Sequence, residues 1–315
     1  MASQKARPHF AVSGKSTVEA HLICIIKGLA ALLLALSAPA LAQRPPIAPA
    51  IYTDPPRDPQ HPAGMNVLHI PSGGVAINGV AYTAAGGGPH PTLVLFHGLP
   101  GNEKNLDLAQ AVRRAGWNVV TLNYRGSWGS PGRFSFAGNL EDARAALAYL
   151  RVPGNAAAHR VDPSRIVIGG HSMGGWVTAM VAARDERLAG AILMSAANMG
   201  EMGRIPREAL LGISRDNMES LAGVTPESMT DQLATNADAF DWAVSAAGLR
   251  RIPLLILSSE DGLAPQTDTL AASVRAGGGT RVTTVHVDTD HGWSDRRIRL
   301  QNEVIGWLAR LSPTE

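Results

Sequence analysis

The 315-residue chain has a single cysteine, Cys24, and no motif that implies a metal or an organic cofactor. Cys24 falls in the first 42 residues, where a stretch carrying Lys5, Arg7, Lys15 and Lys27 leads into the uncharged run from Gly28 to Ala42 and ends Ala40-Leu41-Ala42. A basic segment, a short apolar run and a small-residue site in that order predict a secretory signal peptide over residues 1–42, cleaved after Ala42, and hence an exported protein, periplasmic or secreted. Removal of that segment leaves no thiol. Disulfides, thiolate zinc sites and a cysteine nucleophile are then excluded together. The competing reading is a retained anchor, because Leu22 to Ala42 is broken only by Lys27 and approaches the ~20 residues a membrane span needs. The shortness of the uncharged run favours cleavage, after which no stable membrane association is expected.

Excess charge of either sign is also missing. Charged residues make up 17% of the chain; four of the 28 Lys and Arg and one of the 26 Asp and Glu lie in the predicted signal, so the remainder carries nearly equal numbers of each sign. Such a balance gives no electrostatic reason to expect nucleic acid or an anionic membrane as a partner. The hydrophobic content of 45% is that of an ordinary globular protein, long enough to bury a stable core without disulfides.

Residues 43–63 hold Pro45, Pro46, Pro49, Pro55, Pro56, Pro59 and Pro62, which disfavour helix and sheet interiors and predict an extended surface leader. From residue 64 to 315 strand-like and helix-like patterns alternate. Apolar strands are predicted at Val75–Thr83, Thr92–Phe96, Asn118–Asn123, Arg165–Ile168, Gly190–Met194, Pro253–Leu257 and Val282–Val287. Helical spacing appears at Leu106–Ala115, Leu140–Leu150, after Met173, around Leu270–Val274 and at Arg297–Leu311. Continuous apolar strands separated by helices predict an α/β protein with a mostly parallel central sheet covered on both faces. Residues 198–249 break the alternation: they are helix-like and contain Met199, Met202, Met218 and Met229, which predicts a helical cap inserted between two strands.

Directly after the Arg165–Ile168 strand stands Gly169-Gly170-His171-Ser172-Met173-Gly174-Gly175, followed by an apolar helix. Gly170 to Gly174 matches G-x-S-x-G, a sharp strand-to-helix turn that exposes a serine at the carboxyl end of a sheet. A serine hydroxyl is a weak nucleophile until a base takes its proton, so this reading requires a histidine and an orienting carboxylate. The loop after Val282–Val287 supplies Asp288, Asp290 and His291, and the turn after Pro253–Leu257 supplies Glu260 and Asp261. Among the other histidines, His171 and His286 read as packing residues, and His69, His90 and His159 have no matching context.

With serine, acid and histidine in that chain order, each on a loop after a strand, the sequence resembles the α/β-hydrolase superfamily over roughly residues 75–311. The resemblance implies the α/β-hydrolase fold and a triad of Ser172, Asp261 and His291: the acid turn is followed by Pro265, and the histidine precedes Gly292 and Trp293, as is common in that superfamily. Glu260 is the rival acid; Asp288 and Asp290 lie too near His291 along the chain to reach its far ring nitrogen easily. His97-Gly98-Leu99-Pro100-Gly101 resembles the superfamily's oxyanion loop, which implies the backbone N–H groups of Leu99 and Met173 as donors. Tyr124 to Gly132 resembles its glycine-rich loop, with Arg125 structural and Trp128 either lining the acyl pocket or packed beneath the loop. The activity implied is hydrolysis of a small carboxylic ester through an acyl-enzyme. A serine peptidase acting on short peptides is the alternative, for which Glu201, Glu208, Asp216 or Glu219 of the cap would bind a substrate amine. A non-catalytic acyl-binding protein is the third reading.

Overall fold

A computed structural model describes residues 46–311; the predicted signal segment, residues 1–42, lies outside the described residues. The chain enters its sheet through β1 (Gly64–Ser72) and β2 (Val75–Thr83), a hairpin turning at Gly73 and Gly74, both at positive φ. Then follow β3 (His90–Phe96), α1 (Leu106–Arg114), β4 (Asn118–Leu122), α2 (Phe136–Arg151), α3 (Pro153–Ala158), β5 (Val161–His171), α4 (Met173–Ala182) and β6 (Gly190–Met194). Within residues 198–249, the segment predicted as a cap, lie α5 (Met199–Met202), α6 (Arg207–Asp216), α7 (Pro226–Thr235), a 3-10 turn (Trp242–Ser245) and α8 (Ala246–Leu249). The chain then returns to the sheet through β7 (Leu254–Ser259), α9 (Ala264–Ala276), β8 (Val282–Val287) and α10 (Arg297–Leu311).

The strands form one eight-stranded sheet in the order β1-β2-β4-β3-β5-β6-β7-β8. The hairpin and its contact with β4 are antiparallel, and every pairing from β4 through β8 is parallel. Parallel strands need crossover helices, and these cover both faces. Neighbouring residues of one strand consequently enter different cores: Val94 and Phe96, Ile166 and Ile168, and Leu193 and Ile256 pack with α2, α4 and α9, whereas Leu93, Val167, Ile192 and Leu255 pack with α1 and α10. Helix α10 contributes Leu300, Val304, Trp307 and Leu308 to the second core at helical spacing, each full burial stabilising by about 1.5–3 kcal/mol.

The strand Gly64–Ser72 had no counterpart in the sequence reading, and it is an edge strand. Its alternate residues Leu68 and Ile70 are buried while Met65 and Val67 are exposed, and Pro71 is tolerated because an edge strand leaves one row of N–H groups unpaired. The other edge is β8, which among the described residues pairs only with β7. The proline-rich leader is held down at residues 48–51: the Ala48 N–H donates to Asn302 Oδ1 at 2.8 Å, and Arg114 of α1 donates to the carbonyls of Ala50 (2.6 Å) and Ile51 (3.0 Å).

Candidate active site

Ser172 stands between β5 and α4 with φ 57° and ψ −121°, a backbone conformation that side-chain-bearing residues rarely adopt. The surrounding glycines are there for space. A Cβ at Gly170 would lie 2.0 Å from the Gly174 carbonyl oxygen, and one at Gly174 would lie 2.1 Å from the Phe96 carbonyl oxygen, so larger residues would push the turn off β3. The strain is held by the sheet: the Ser172 N–H donates to Met194 O (3.0 Å), and its carbonyl accepts from Gly175 (3.0 Å) and Ala197 (3.2 Å).

His291 follows β8, and its Nδ1 lies 2.7 Å from Asp261 Oδ2 in the turn after β7. A carboxylate only accepts, so Nδ1 carries the proton and Nε2 of the neutral ring is left as the basic nitrogen. Burial by itself would raise the Asp261 carboxyl, but hydrogen bonds from His291 and from the Leu263 N–H (2.9 Å) outweigh it and hold the group below the usual carboxylate range. The neighbouring carboxylate turns elsewhere. Glu260 Oε1 meets His286 Nε2 at 2.7 Å, with Ser258 Oγ 3.0 Å from the opposite ring nitrogen, and its side chain is 64% exposed against 5% for Asp261. Asp288 and Asp290 are exposed, and Asp290 Oδ1 accepts from the Ser294 N–H.

His171 and His97 sit behind this group, both neutral at ordinary pH. Burial pushes each down to about 4. His171 donates from Nε2 to the His291 carbonyl at 2.8 Å, with its ring 4.5 Å from that of His291. His97 gives its Nδ1 proton to Gly98 O (2.8 Å) and tilts onto Tyr124 at 4.6 Å. Arg125 is a strut: its Nε donates to the fully buried Asp142 Oδ1 at 2.7 Å, its backbone N–H donates to Oδ2 at 2.8 Å, and Ser72 Oγ reaches the same carboxylate at 2.5 Å. Trp128 packs at the loop surface, where its Nε1 donates to Pro100 O (2.8 Å) beneath the Lys104 ammonium.

Ser172, Asp261 and His291 open on one cleft of about 310 Å³, together with Leu99 and Met173. Met173 is the first residue of α4, so its N–H has no intrahelical acceptor. The cap completes the walls: Met199, Met202, Ile213 and Leu233 are apolar, Ser214 and Asn217 are neutral and polar, and Leu263 and Ala197 close the rest. Among the described residues Asp261 is the only acidic side chain that lines it, and none of Glu201, Glu208, Asp216 or Glu219 does. Sequence reasoning had Met199 and Met202 in the cap but missed Ser214, Asn217 and Leu263, which nothing in their local pattern distinguishes from ordinary helix and turn residues. Among the described residues no group of three or more His, Cys, Asp or Glu side chains is arranged to hold a metal ion, and no helix is long and apolar enough to cross a membrane.

Residues 91–237 match the family model described as alpha/beta hydrolase fold. An uncharacterized protein of Mycobacterium tuberculosis is 30% identical over 169 residues, covering 52% of this chain and 58% of that protein. The quorum-quenching protein AidA of Acinetobacter baumannii is 32% identical over 148 residues, covering 43% of this chain and 47% of AidA. The chain thus spans about half the length of these curated relatives. Among solved structures, the metagenomic carboxylesterase EstE1 superposes with a TM-score of 0.61 at 21% identity, covering 81% of this chain and 92% of that one. A puromycin-hydrolyzing peptidase of Mycobacterium tuberculosis gives 0.61 at 18% identity, covering 81% and 40%.

Proposed function

Since the chain belongs to the α/β-hydrolase superfamily, we propose that it is a serine hydrolase that cleaves a carboxylic ester through an acyl-enzyme, with Ser172 as nucleophile, His291 as base and Asp261 as the orienting acid. The observation that carries the reading is the 2.7 Å contact between His291 Nδ1 and Asp261, opening on the same cleft as Ser172.

In the first half-reaction Ser172 Oγ attacks the ester carbonyl carbon and its proton passes to His291 Nε2. The charge that develops on the carbonyl oxygen is met by the N–H groups of Leu99 and Met173. The C–O bond to the alcohol breaks, and the alcohol leaves with the proton from Nε2. Water then attacks the acyl-enzyme, gives a proton to Nε2, and the acid departs as that proton returns to Ser172. Throughout, the ionised Asp261 holds the ring in one tautomer and stabilises the imidazolium.

The cleft lining favours an ester of a neutral, apolar acyl group over a peptide with a free amine. A substrate ammonium needs a carboxylate partner, and the one that lines the cleft is engaged by His291. At about 310 Å³ the cleft is at the small end for ligand sites, which suits short to medium acyl chains. EstE1, which shares the fold, is a carboxylesterase. Ser172→Ala should abolish turnover of p-nitrophenyl esters and labelling by a fluorophosphonate while the fold survives. Labelling that persists at another serine would remove Ser172 from its role.

A further inference from the structure

Three polar side chains that the proposed reaction does not use are buried together next to it, and none of them lines the cleft. Trp293, two residues past His291, is fully buried, and its indole Nε1 donates to Ser195 Oγ at 2.9 Å. Ser195, the first residue after β6, has its Oγ 2.6 Å from that of Ser259, the last residue of β7 and two before Asp261; both serines are almost wholly enclosed. The link therefore runs from the loop that bears the histidine to the strand end that bears the acid.

The backbone around the link is strained. Ser195 has φ 42° and Trp293 φ 59°, both in the left-handed region that a bulky residue avoids, and such conformations persist only where the surroundings over-determine them. Neighbouring backbone bonds brace the same junction: Ser195 N–H donates to Leu257 O (2.8 Å), and Glu260 N–H to Thr289 O (3.0 Å). An indole N–H only donates, so Ser195 Oγ accepts from Trp293, and either hydroxyl can donate in the bond between the two serines.

We propose that Trp293, Ser195 and Ser259 are positioning residues, a buried clasp that sets the distance between the His291 loop and the Asp261 turn and so holds the base and its acid in contact. The inference rests on the reading of His291 and Asp261 as that pair. Removing one link leaves both loops folded but lets the Nδ1···Oδ2 contact loosen, which lowers kcat and leaves ester binding in the cleft unaffected.

The test compares Trp293→Phe, which keeps a ring and deletes the N–H, with Ser259→Ala and Ser259→Thr, which delete and retain the hydroxyl. Two readouts are taken on the full-length protein: kcat and KM for a p-nitrophenyl ester, and the downfield proton resonance of His291 Nδ1–H in the free enzyme. We expect Trp293→Phe and Ser259→Ala each to lower kcat about tenfold with KM within a factor of two, and to shift or broaden the resonance. Ser259→Thr should recover most of the loss. The Trp293→Phe/Ser259→Ala double variant should be little worse than either single one, because both break the same link. A normal resonance and kcat in both single variants, equal damage from Ser259→Thr and Ser259→Ala, or losses that multiply would each overturn the clasp. Should Trp293→Phe not fold, the Ser259 pair decides alone. The resonance needs no substrate, so a failure of the ester reading, seen as full turnover by Ser172→Ala, is told apart from a failure of the clasp.

Discussion

A carboxylate beside a histidine is useful to catalysis only if it faces the ring nitrogen that the nucleophile does not use. Glu260 and Asp261 are adjacent in sequence and both lie on an acidic turn, so their order along the chain leaves the choice open, and the resemblance to a family favours one without excluding the other. Chain direction at the end of β7 separates them: one carboxylate leans over the exposed edge to His286, the other turns inward to His291. Asp261→Asn should therefore lower kcat by on the order of 10⁴, the loss that an amide in this place causes in serine proteases by stabilising the wrong tautomer. Glu260→Gln, which disturbs an exposed pair, should stay within a few-fold. Parallel kcat measurements check this, and a crippled Glu260→Gln beside a near-normal Asp261→Asn would move the acid by one residue. Ser172 was legible because its glycines answer a local need for space. Ser195 and Ser259 were not, since a serine after a strand looks the same whether it caps a turn or joins a buried link.

At the scale of elements, most strands and helices follow from uninterrupted apolar runs and helical spacing, and the misses have local causes. In β1 the side chains Met65 and Val67 are exposed and Pro71 interrupts the pattern, so apolar residues on the wrong face hid an edge strand. Helix α2 begins at Phe136, ahead of its predicted start, because Ser135 caps it by accepting from the Gly138 N–H. Helix α9 starts early at Ala264 with Pro265 in its first turn, a place where a missing N–H costs nothing. The cap was legible as helical, but which of its faces meets the site was not. Its segment 220–222 is laced to the loops after β4 and β3, with Ala222 N–H donating to Gly126 O at 2.7 Å and Ser220 Oγ to Pro100 O at 3.0 Å, and its Met202 and Leu233 line the cleft. Met202→Ala and Leu233→Ala should each enlarge the apolar wall and raise the ratio of kcat/KM for an eight-carbon over a four-carbon p-nitrophenyl ester by about tenfold, the scale of one or two methylenes in an apolar pocket. An unchanged ratio in both would make the cap a structural cover only.

For the whole molecule, the two buried histidines couple stability to pH. His97 and His171 are held neutral down to about 4 by burial, whereas in the unfolded chain each binds a proton near 6.5. Between those values the unfolded state holds more protons, so stability is complete above about pH 6.5 and falls as the pH drops toward 4. At pH 4.5 the loss should be about 2–3 kcal/mol for each histidine. Asp261, whose carboxyl is lowered, adds a loss in the same direction only at still lower pH. Urea unfolding at pH 7.5 and 4.5 measures the effect, and His171→Asn should remove one histidine's share of the difference; equal stability at both pH values would contradict it. The position of β8 has a different consequence. In the proposed reaction the nucleophile and oxyanion donors follow β3 and β5 in the middle of the sheet, but the proposed base follows β8, which among the described residues is bonded on one side only. An edge strand has fewer neighbours to hold it than an interior one, so on the proposed reading warming should silence the molecule while nearly all of it is still folded, by detaching the proton acceptor, and cooling should restore activity as long as the interior strands keep their places.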